Sequence, residues 1–417
     1  MNRRSFLKGG TASVGLAPSL LGAGAPGAAQ EVAGPQAFTA GSGPGPVFGG
    51  SPVVTGPAAD AITVLQPLQR HATGFLEYAV EGGAFRRVDA ARAGLLPYEQ
   101  YVLKFRLPPL PPGKAIRYRV TARSVGWVNV REFKYGKIEP GKPEAGPVFS
   151  FRTLDPEADT TSFVVWNDTH EQPETLRKLH AKTAEIRPDF LLWNGDQTND
   201  VNEESRMRAQ FLAPEGLAVA DRWPLAYVRG NHDVRGPKAR LLHEYTGTPG
   251  DRFYYAFRSG PVAALVLDTG EDKPDDSEWL GGVTAFAAMR REQAEWLKQV
   301  VREPWFRDAP HRVLFCHIPL WWVRDRKGID WWEYSRPCRD AWEPLLAAAG
   351  VKVVVSGHTH DHTWMPAGKG QSIGQFVGGG PQPRHATVIH GTATRKALTL
   401  KMSKLDGAVV AEVTLKA

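Results

Sequence analysis

The chain is poor in cysteine, with two in 417 residues. That excludes a disulfide framework, and Cys316 and Cys338 read as unpaired thiols, a single bridge between them being the alternative. No run of about 18 apolar residues follows the N-terminus, so no transmembrane segment is expected. No internal repeat is visible. Hydrophobic residues make up 42% and charged residues 23%, a globular balance that rules out wholesale disorder. Gly 43 and Pro 33 predict many turns but fall short of a low-complexity chain. The length suits two or three domains of roughly 150 residues each. A core of that size needs no metal or bridge merely to fold. The net charge of +7 could serve nucleic acid, a membrane, a phosphorylated partner or solubility alone. No nucleic-acid motif accompanies it, so no stable nucleic-acid partner is expected.

What is present begins with an address. Arg3, Arg4 and Lys8 precede a short, small-residue apolar stretch that runs to Ala29. The Arg3-Arg4 pair followed by Phe6-Leu7-Lys8 resembles a twin-arginine signal. Residues 1–29 are therefore expected to be an export signal, with the Tat translocation machinery as a transient partner. The implied destination is the periplasm, the cell envelope or the medium. Residues 30–48 are rich in Gly, Pro and Ala and read as a linker. Residues 49–155 hold short runs of β-branched and aromatic residues between Pro/Gly breaks, which predicts a small all-β sandwich.

The pattern changes in residues 156–417. Apolar runs at 163–166, 190–193, 225–228, 264–267, 313–315 and 353–355 read as strands buried on both faces. Charged helical stretches lie between them at 174–186, 285–302 and 339–349. Strands alternating with helices predict a layered α/β domain. The alternating tail at 397–415 turns at Asp406-Gly407, a hairpin signal.

The chemistry sits just beyond the strands. Their ends carry Asp168 and His170, Asp196, Asn231 with His232 and Asp233, His317, and His358 with His360. Ligands gather at the carboxyl ends of strands in open α/β sheets. A single His or Asp of this kind is more often a satisfied loop residue, but the whole set at strand ends is not. Carboxylates, imidazoles and an amide oxygen suit Mn, Fe or Zn. The donors are too many for one tetrahedral ion, so two ions sharing a carboxylate fit better. Two such ions lower the pKa of bound water and can clamp both oxygens of an in-line displacement at phosphorus.

The set Asp168-x-His170, Gly195-Asp196, Gly230-Asn231-His232-Asp233, His317 and Gly357-His358-x-His360 resembles the calcineurin-like metallophosphoesterase superfamily, in the family's order over about 160–365. The resemblance implies a four-layer α/β/β/α sandwich with a dinuclear site. One metal would take Asp168, His170, Asp196 and His360. The other would take Asp196, Asn231, His317 and His358. Asn231, His232 and Arg235 would touch substrate. His232 would assist the leaving group, held in orientation by Asp233. The β segment in front resembles the fibronectin-III-like domain that precedes some exported phosphoesterases, purple acid phosphatases among them. The chain departs from that group: it has His170 in the first motif and no Tyr after Asp196, so a tyrosinate-bound ferric ion is not implied. The expectation is an exported dinuclear phosphoester hydrolase working through a metal-bridging hydroxide. The alternative is a cell-envelope binding protein with a structural metal site.

Weaker signals stand apart. Arg229 and Arg235 flank the third motif and could grip phosphate. Asp200 and His362 could support the site or face solvent. Gly378-Gly379-Gly380 reads as a turn rather than an anion cradle. The Trp321-Trp322 and Trp331-Trp332 pairs read as core before they read as a pocket wall. The acidic stretch 272–278 reads as a solvated loop. Residues 30–155 hold fifteen Lys/Arg against ten Asp/Glu, so the basic excess lies outside the expected catalytic domain.

Overall fold

A computed structural model describes residues 46–58, 60–98, 101–128, 137–323 and 335–417. The expected signal, nearly all of the expected linker and the Trp331-Trp332 pair lie outside the described residues. No helix among the described residues is long and apolar enough to cross a membrane.

The N-terminal third supplies β1 (Val53–Thr55), β2 (Thr63–Pro67), β3 (Ala72–Val80), β4 (Arg86–Asp89), β5 (Val102–Arg106), β6 (Ala115–Val128), β7 (Lys137–Pro140), β8 (Glu144–Ala145) and β9 (Phe149–Arg152). The rest supplies β10 (Thr160–Trp166), β11 (Phe190–Asn194), β12 (Leu225–Val228), β13 (Tyr255–Ser259), β14 (Val262–Val266), β15 (His311–Phe315), β16 (Val353–Ser356), β17 (Thr363–Met365), β18 (Gly374–Val377), β19 (Thr387–Thr394), β20 (Ala397–Lys404) and β21 (Val409–Lys416). The six apolar runs read as buried strands all fall on strands, apart from Leu267, one residue past β14.

Two sheets face each other. The first has the order β21-β20-β19-β10-β11-β12-β1-β2-β5, and the second β13-β14-β15-β16-β18-β17. Their facing side chains include Phe163, Val165 and Phe190 from one sheet and Val266, Val313, Phe315 and Val355 from the other. Side chains one position along point the opposite way, as the two-residue period of a strand requires. Val164, Trp166 and Leu191 thus pack outward on the helix Pro173–Ile186, which contributes Leu176 and Leu179. Leu265, Leu314 and Val354 pack outward on the helices Phe286–Val300 and Ser335–Ala348, through Leu297, Trp342 and Leu346. The result is the expected α/β/β/α sandwich. Burial on both faces explains why these strands read as unbroken apolar runs. The tail hairpin turns where expected: Gly407 adopts φ 95° and donates its N–H to the Lys404 carbonyl at 3.0 Å.

The boundary expected at residue 155 does not separate two sheets. β1 pairs in parallel with β12 through Thr55 and Leu225, and β2 and β5 follow it antiparallel. A small β sandwich does precede β10 and the strands after it, but it shares the large sheet. The shared strands are apolar on both faces for that reason. Val53, Leu65 and Val102 join the core that holds Trp223 and Tyr245. Val54, Val64, Leu103 and Phe105 pack against Leu76, Ile116, Tyr118 and Phe151 of β3, β6 and β9. Fully burying each such side chain is worth about 1.5–3 kcal/mol. Polar ties reinforce the join. The buried Tyr118 hydroxyl donates to the Asp221 carbonyl at 2.7 Å, and Lys104 Nζ meets Asp251 at 2.6 Å.

Candidate metal centre

The carboxyl ends of β10, β11, β12, β15 and β16 converge where the two sheets meet. The backbone turns sharply there. Eleven non-glycine residues among those described have positive φ, and six of them are Asp168, His170, Glu171, Asp196, His358 and His360. Left-handed backbone costs about 1–3 kcal/mol at a non-glycine residue and persists only where the surroundings enforce it. Here it aims successive side chains inward over very short stretches of loop. Gly230 permits the close approach, since a Cβ on it would collide with the backbone nitrogen and carboxylate of Asp196.

Two groups of donors result. In the first, His317 Nε2 lies 3.1 Å and His358 Nδ1 2.8 Å from Asn231 Oδ1, with Asp196 Oδ2 3.2 Å from His317 Nε2. All of these residues are buried. His317 Nδ1 donates to the Asn194 carbonyl at 3.0 Å, which turns the Nε2 lone pair toward the site. In the second, His170 Nε2 and His360 Nε2 face each other at 3.1 Å, with Asp168 Oδ1 3.8 Å from His360 and Asp196 Oδ2 3.4 Å from His170. His360 is the exposed member. The sets Asp168/His170/His360 and Asp196/His317/His358 each gather their donor atoms within 4.8 Å. Asp196 lies between them. His170, Asp196 and His232 form a third such set, so His232 stands nearer the donors than its non-ligand role implied.

These residues fit a pair of cations. Ring nitrogens and an amide oxygen converge on one place, and two buried carboxylates, Asp168 and Asp196, lie among them. Oxygen and imidazole donors suit divalent first-row metals. The acidities show the same convergence. Burial, with Asp196 alongside, pushes Asp168 well above the usual carboxylate range despite His317. Burial also works on Asp196, but His317, His232 and His170 outweigh it and hold that carboxyl well below the range. Burial lowers His317, yet Asp196 and Asp168 push it up to about 10. Burial and then His170 bring His360 down to about 4. Such groups compete for protons where a cation would satisfy them together.

The structure corrects the expected role of Asp233. Its buried carboxylate does not meet His232. It accepts N–H groups from Gly230 at 2.8 Å, Asp196 and Gln197 at 3.1 Å and Thr198 at 3.4 Å, plus the Tyr227 hydroxyl at 3.1 Å. The side chain points inward because the loops after β11 and β12 leave these donors unpaired. Burial and then Asp196 raise it to about 7. His232 instead approaches the Asn199 carbonyl through Nδ1 at 2.9 Å, and Arg235 Nη1 lies 3.3 and 3.0 Å from its two ring nitrogens.

Other expectations shift as well. Arg235 is held by Glu271 and Asp272, so most of its donors are engaged. Arg229 pairs with buried Asp268 and stacks on Phe253 at 4.1 Å, which commits it to the fold. The stretch 272–278 is not simply solvated. Asp272 is buried, and Asp275 accepts the N–H groups of Phe286 and Ala287 at 2.7 and 2.9 Å, capping the helix that follows. Asp200 accepts at its backbone carbonyl from Thr198 and Gln210. His362 is half-buried, and burial and then Lys404 lower its pKa. Gly378 lies against Asn167, where no Cβ would fit, so close packing accounts for it. Trp321 belongs to the core, while the Trp322 ring stands 5.9 Å from His358. Cys316 and Cys338 are free, buried thiols. Sequence reasoning missed Asn199, Glu271 and Glu171. Glu171 accepts from Thr198, Gln210 and Arg206 and so ties the loops after β10 and β11 together. Only its place directly after His170 hinted at this.

Residues 161–362 match the family described as calcineurin-like phosphoesterase. Serine/threonine-protein phosphatase CPPED1 of Bos taurus is 31% identical over 169 residues, 40% of this chain and 48% of that protein. The Mus musculus protein is 29% identical over 199 residues, 46% of this chain and 58% of that one. The chain thus spans about half the length of the curated relatives it matches. A solved purple acid phosphatase, PPD1 from yellow lupin (Lupinus luteus) seeds, superposes with a TM-score of 0.63 at 16% identity, covering 88% of this chain and 74% of that one. That likeness is one of fold.

Proposed function

We propose that this chain is a dinuclear metal-dependent phosphoester hydrolase. The observation that carries the reading is the pair of donor sets meeting at Asp196. Asp168, His170, Asp196 and His360 would hold one cation, and Asp196, Asn231, His317 and His358 the other. When bound, such a pair supplies a hydroxide nucleophile near neutral pH and offsets charge that develops at phosphorus. The chain's own residues do the rest. The left-handed turns fix the donors before substrate arrives, which limits reorganisation. Asn231 and His232 lie at the same strand end and would meet the phosphoryl group. His232 is half-exposed, unlike buried His317 and His358, so its ring can reach the leaving group. An in-line path requires it to act opposite the nucleophile as a proton donor. A purely structural site has no use for an exposed His360 or for His232.

The curated relatives carry a protein-phosphatase name, so phosphoserine and phosphothreonine peptides belong beside aryl esters as test substrates. We also read residues 1–29 as a twin-arginine export signal, on their sequence pattern. The deciding experiment loads the purified protein with Mn, Fe or Zn. It then assays aryl mono- and bis-phosphates, nucleotides, phospholipid head groups and phosphopeptides. Turnover of at least one ester, lost on chelation, is expected. No turnover of any with metal bound would end the enzyme reading.

A further inference from the structure

We propose that Arg235, clamped by Glu271 and Asp272, is the positioning residue for His232, in the place sequence reasoning gave to Asp233. The inference rests on the phosphoesterase reading, because it concerns the group assigned to the leaving group.

Three observations carry it. First, Asp233 is spent on five other donors and does not meet His232. Second, the guanidinium of Arg235 is fixed before it meets the ring. Nε donates to Glu271 Oε2 at 2.9 Å, and Nη2 donates to Glu271 Oε1 at 2.8 Å and to Asp272 Oδ1 at 3.1 Å. A two-point fork of this kind fixes direction as well as distance. The anchor is rigid, since the Glu271 side chain is wholly buried and Asp272 also takes Lys273 Nζ at 2.6 Å. Third, the one nitrogen left over, Nη1, straddles the imidazole at 3.3 Å from Nδ1 and 3.0 Å from Nε2. On the other side Nδ1 meets the Asn199 carbonyl at 2.9 Å, and the His170 ring lies edge-on at 4.8 Å between centroids. His232 is thus held from three directions while part of its ring stays open to solvent.

Arg235 itself need not touch substrate.

The test uses the full-length, metal-loaded protein with phosphate monoesters of graded leaving groups. Phenyl phosphate has a poor leaving group that needs a proton, and 2,4-dinitrophenyl phosphate has one that does not. Proton donation at a leaving group contributes about 10²–10⁴-fold, and misalignment forfeits part of it. Glu271→Gln is therefore expected to lower kcat for phenyl phosphate roughly tenfold to a hundredfold. The dinitrophenyl ester should change less than about threefold, with KM and bound metal unchanged. Arg235→Met, which keeps an apolar stem in place, should do the same and serves if Glu271→Gln does not fold. An equal fall for both esters, a fall that tracks lost metal, or no fall overturns the proposal and leaves the enzyme reading standing. A metal-loaded wild-type protein that cleaves neither ester overturns this proposal, and one that also cleaves none of the other test substrates overturns the enzyme reading with it.

Discussion

Replacing Asp233 with Asn separates two accounts of that residue. The carboxylate accepts four backbone N–H groups and a tyrosine hydroxyl, and both of its oxygens are engaged. An amide of the same shape has one oxygen. Its NH₂ would face the N–H groups that Asp233 Oδ1 or Oδ2 now accepts. Two or three buried donors would lose their acceptor, at about 1–3 kcal/mol each, so a loss of about 3–5 kcal/mol is expected. For a domain of this size that is on the order of 10 °C in Tm. With the NH₂ in place of Oδ2 the released donors include the N–H groups of Asp196 and Gly230, and in place of Oδ1 those of Gln197 and Thr198, and either set lies in the loops that carry Asp196 and Asn231. Bound metal should therefore fall together with Tm. Calorimetry and elemental analysis of the same preparation give both values. A residue that merely orients His232 would behave differently, with turnover reduced while Tm and metal content stay at wild-type values. That pattern would refute the assignment.

Gly230→Ala should abolish activity and metal binding, because the added Cβ collides with Asp196; retained metal at wild-type stoichiometry would contradict the geometry. Removing residues before 156 should leave an insoluble or molten remainder, since β12 would lose β1 and the Trp223 core would open; a sharp calorimetric transition from the truncated chain would refute this. Asp251 gives a pH dependence with a definite sign. Burial pushes it upward, but Lys104 and Arg106 outweigh that and hold it below 3.8. Its contribution is full above that value and disappears as pH falls through the lower folded-state pKa. Asp251→Asn should therefore cost stability near neutrality and flatten the acid limb of a Tm–pH curve, and an unchanged limb would show that the pair contributes nothing.

The donors were legible because strand and motif coincide. An apolar run ending in Asp, His or Asn tells both where the chain is buried and where it stops being so. Asp196 and His317 needed no structure to be picked out. The inner frame was less legible because its pairings are remote. Glu271 lies 36 positions from Arg235, and an acidic stretch next to a Lys looks the same whether solvated or buried. Asp233 stood beside His232 in sequence, which suggested a contact that the backbone turn does not make. The shared sheet was invisible for a similar reason, since Thr55 meets Leu225 across 170 positions that carry no local signal. The strained turns at Asp168, Asp196 and His358 left no trace at all, because none of these residues is glycine.

The position of β19 bears on how the chain is made. β10 is bordered by β11 on one side and by β19 on the other, and Trp166 finds Val388 only after some 220 further residues have been added. At ribosomal speeds of about 5–20 residues per second, that edge stays open for roughly 10–45 s. An unpaired apolar strand is a template for association with other chains during that interval. The last thirty residues, which include none of the candidate metal ligands, therefore act as the seal on the nascent sheet. Stop codons that remove them should give aggregates rather than a weakened enzyme.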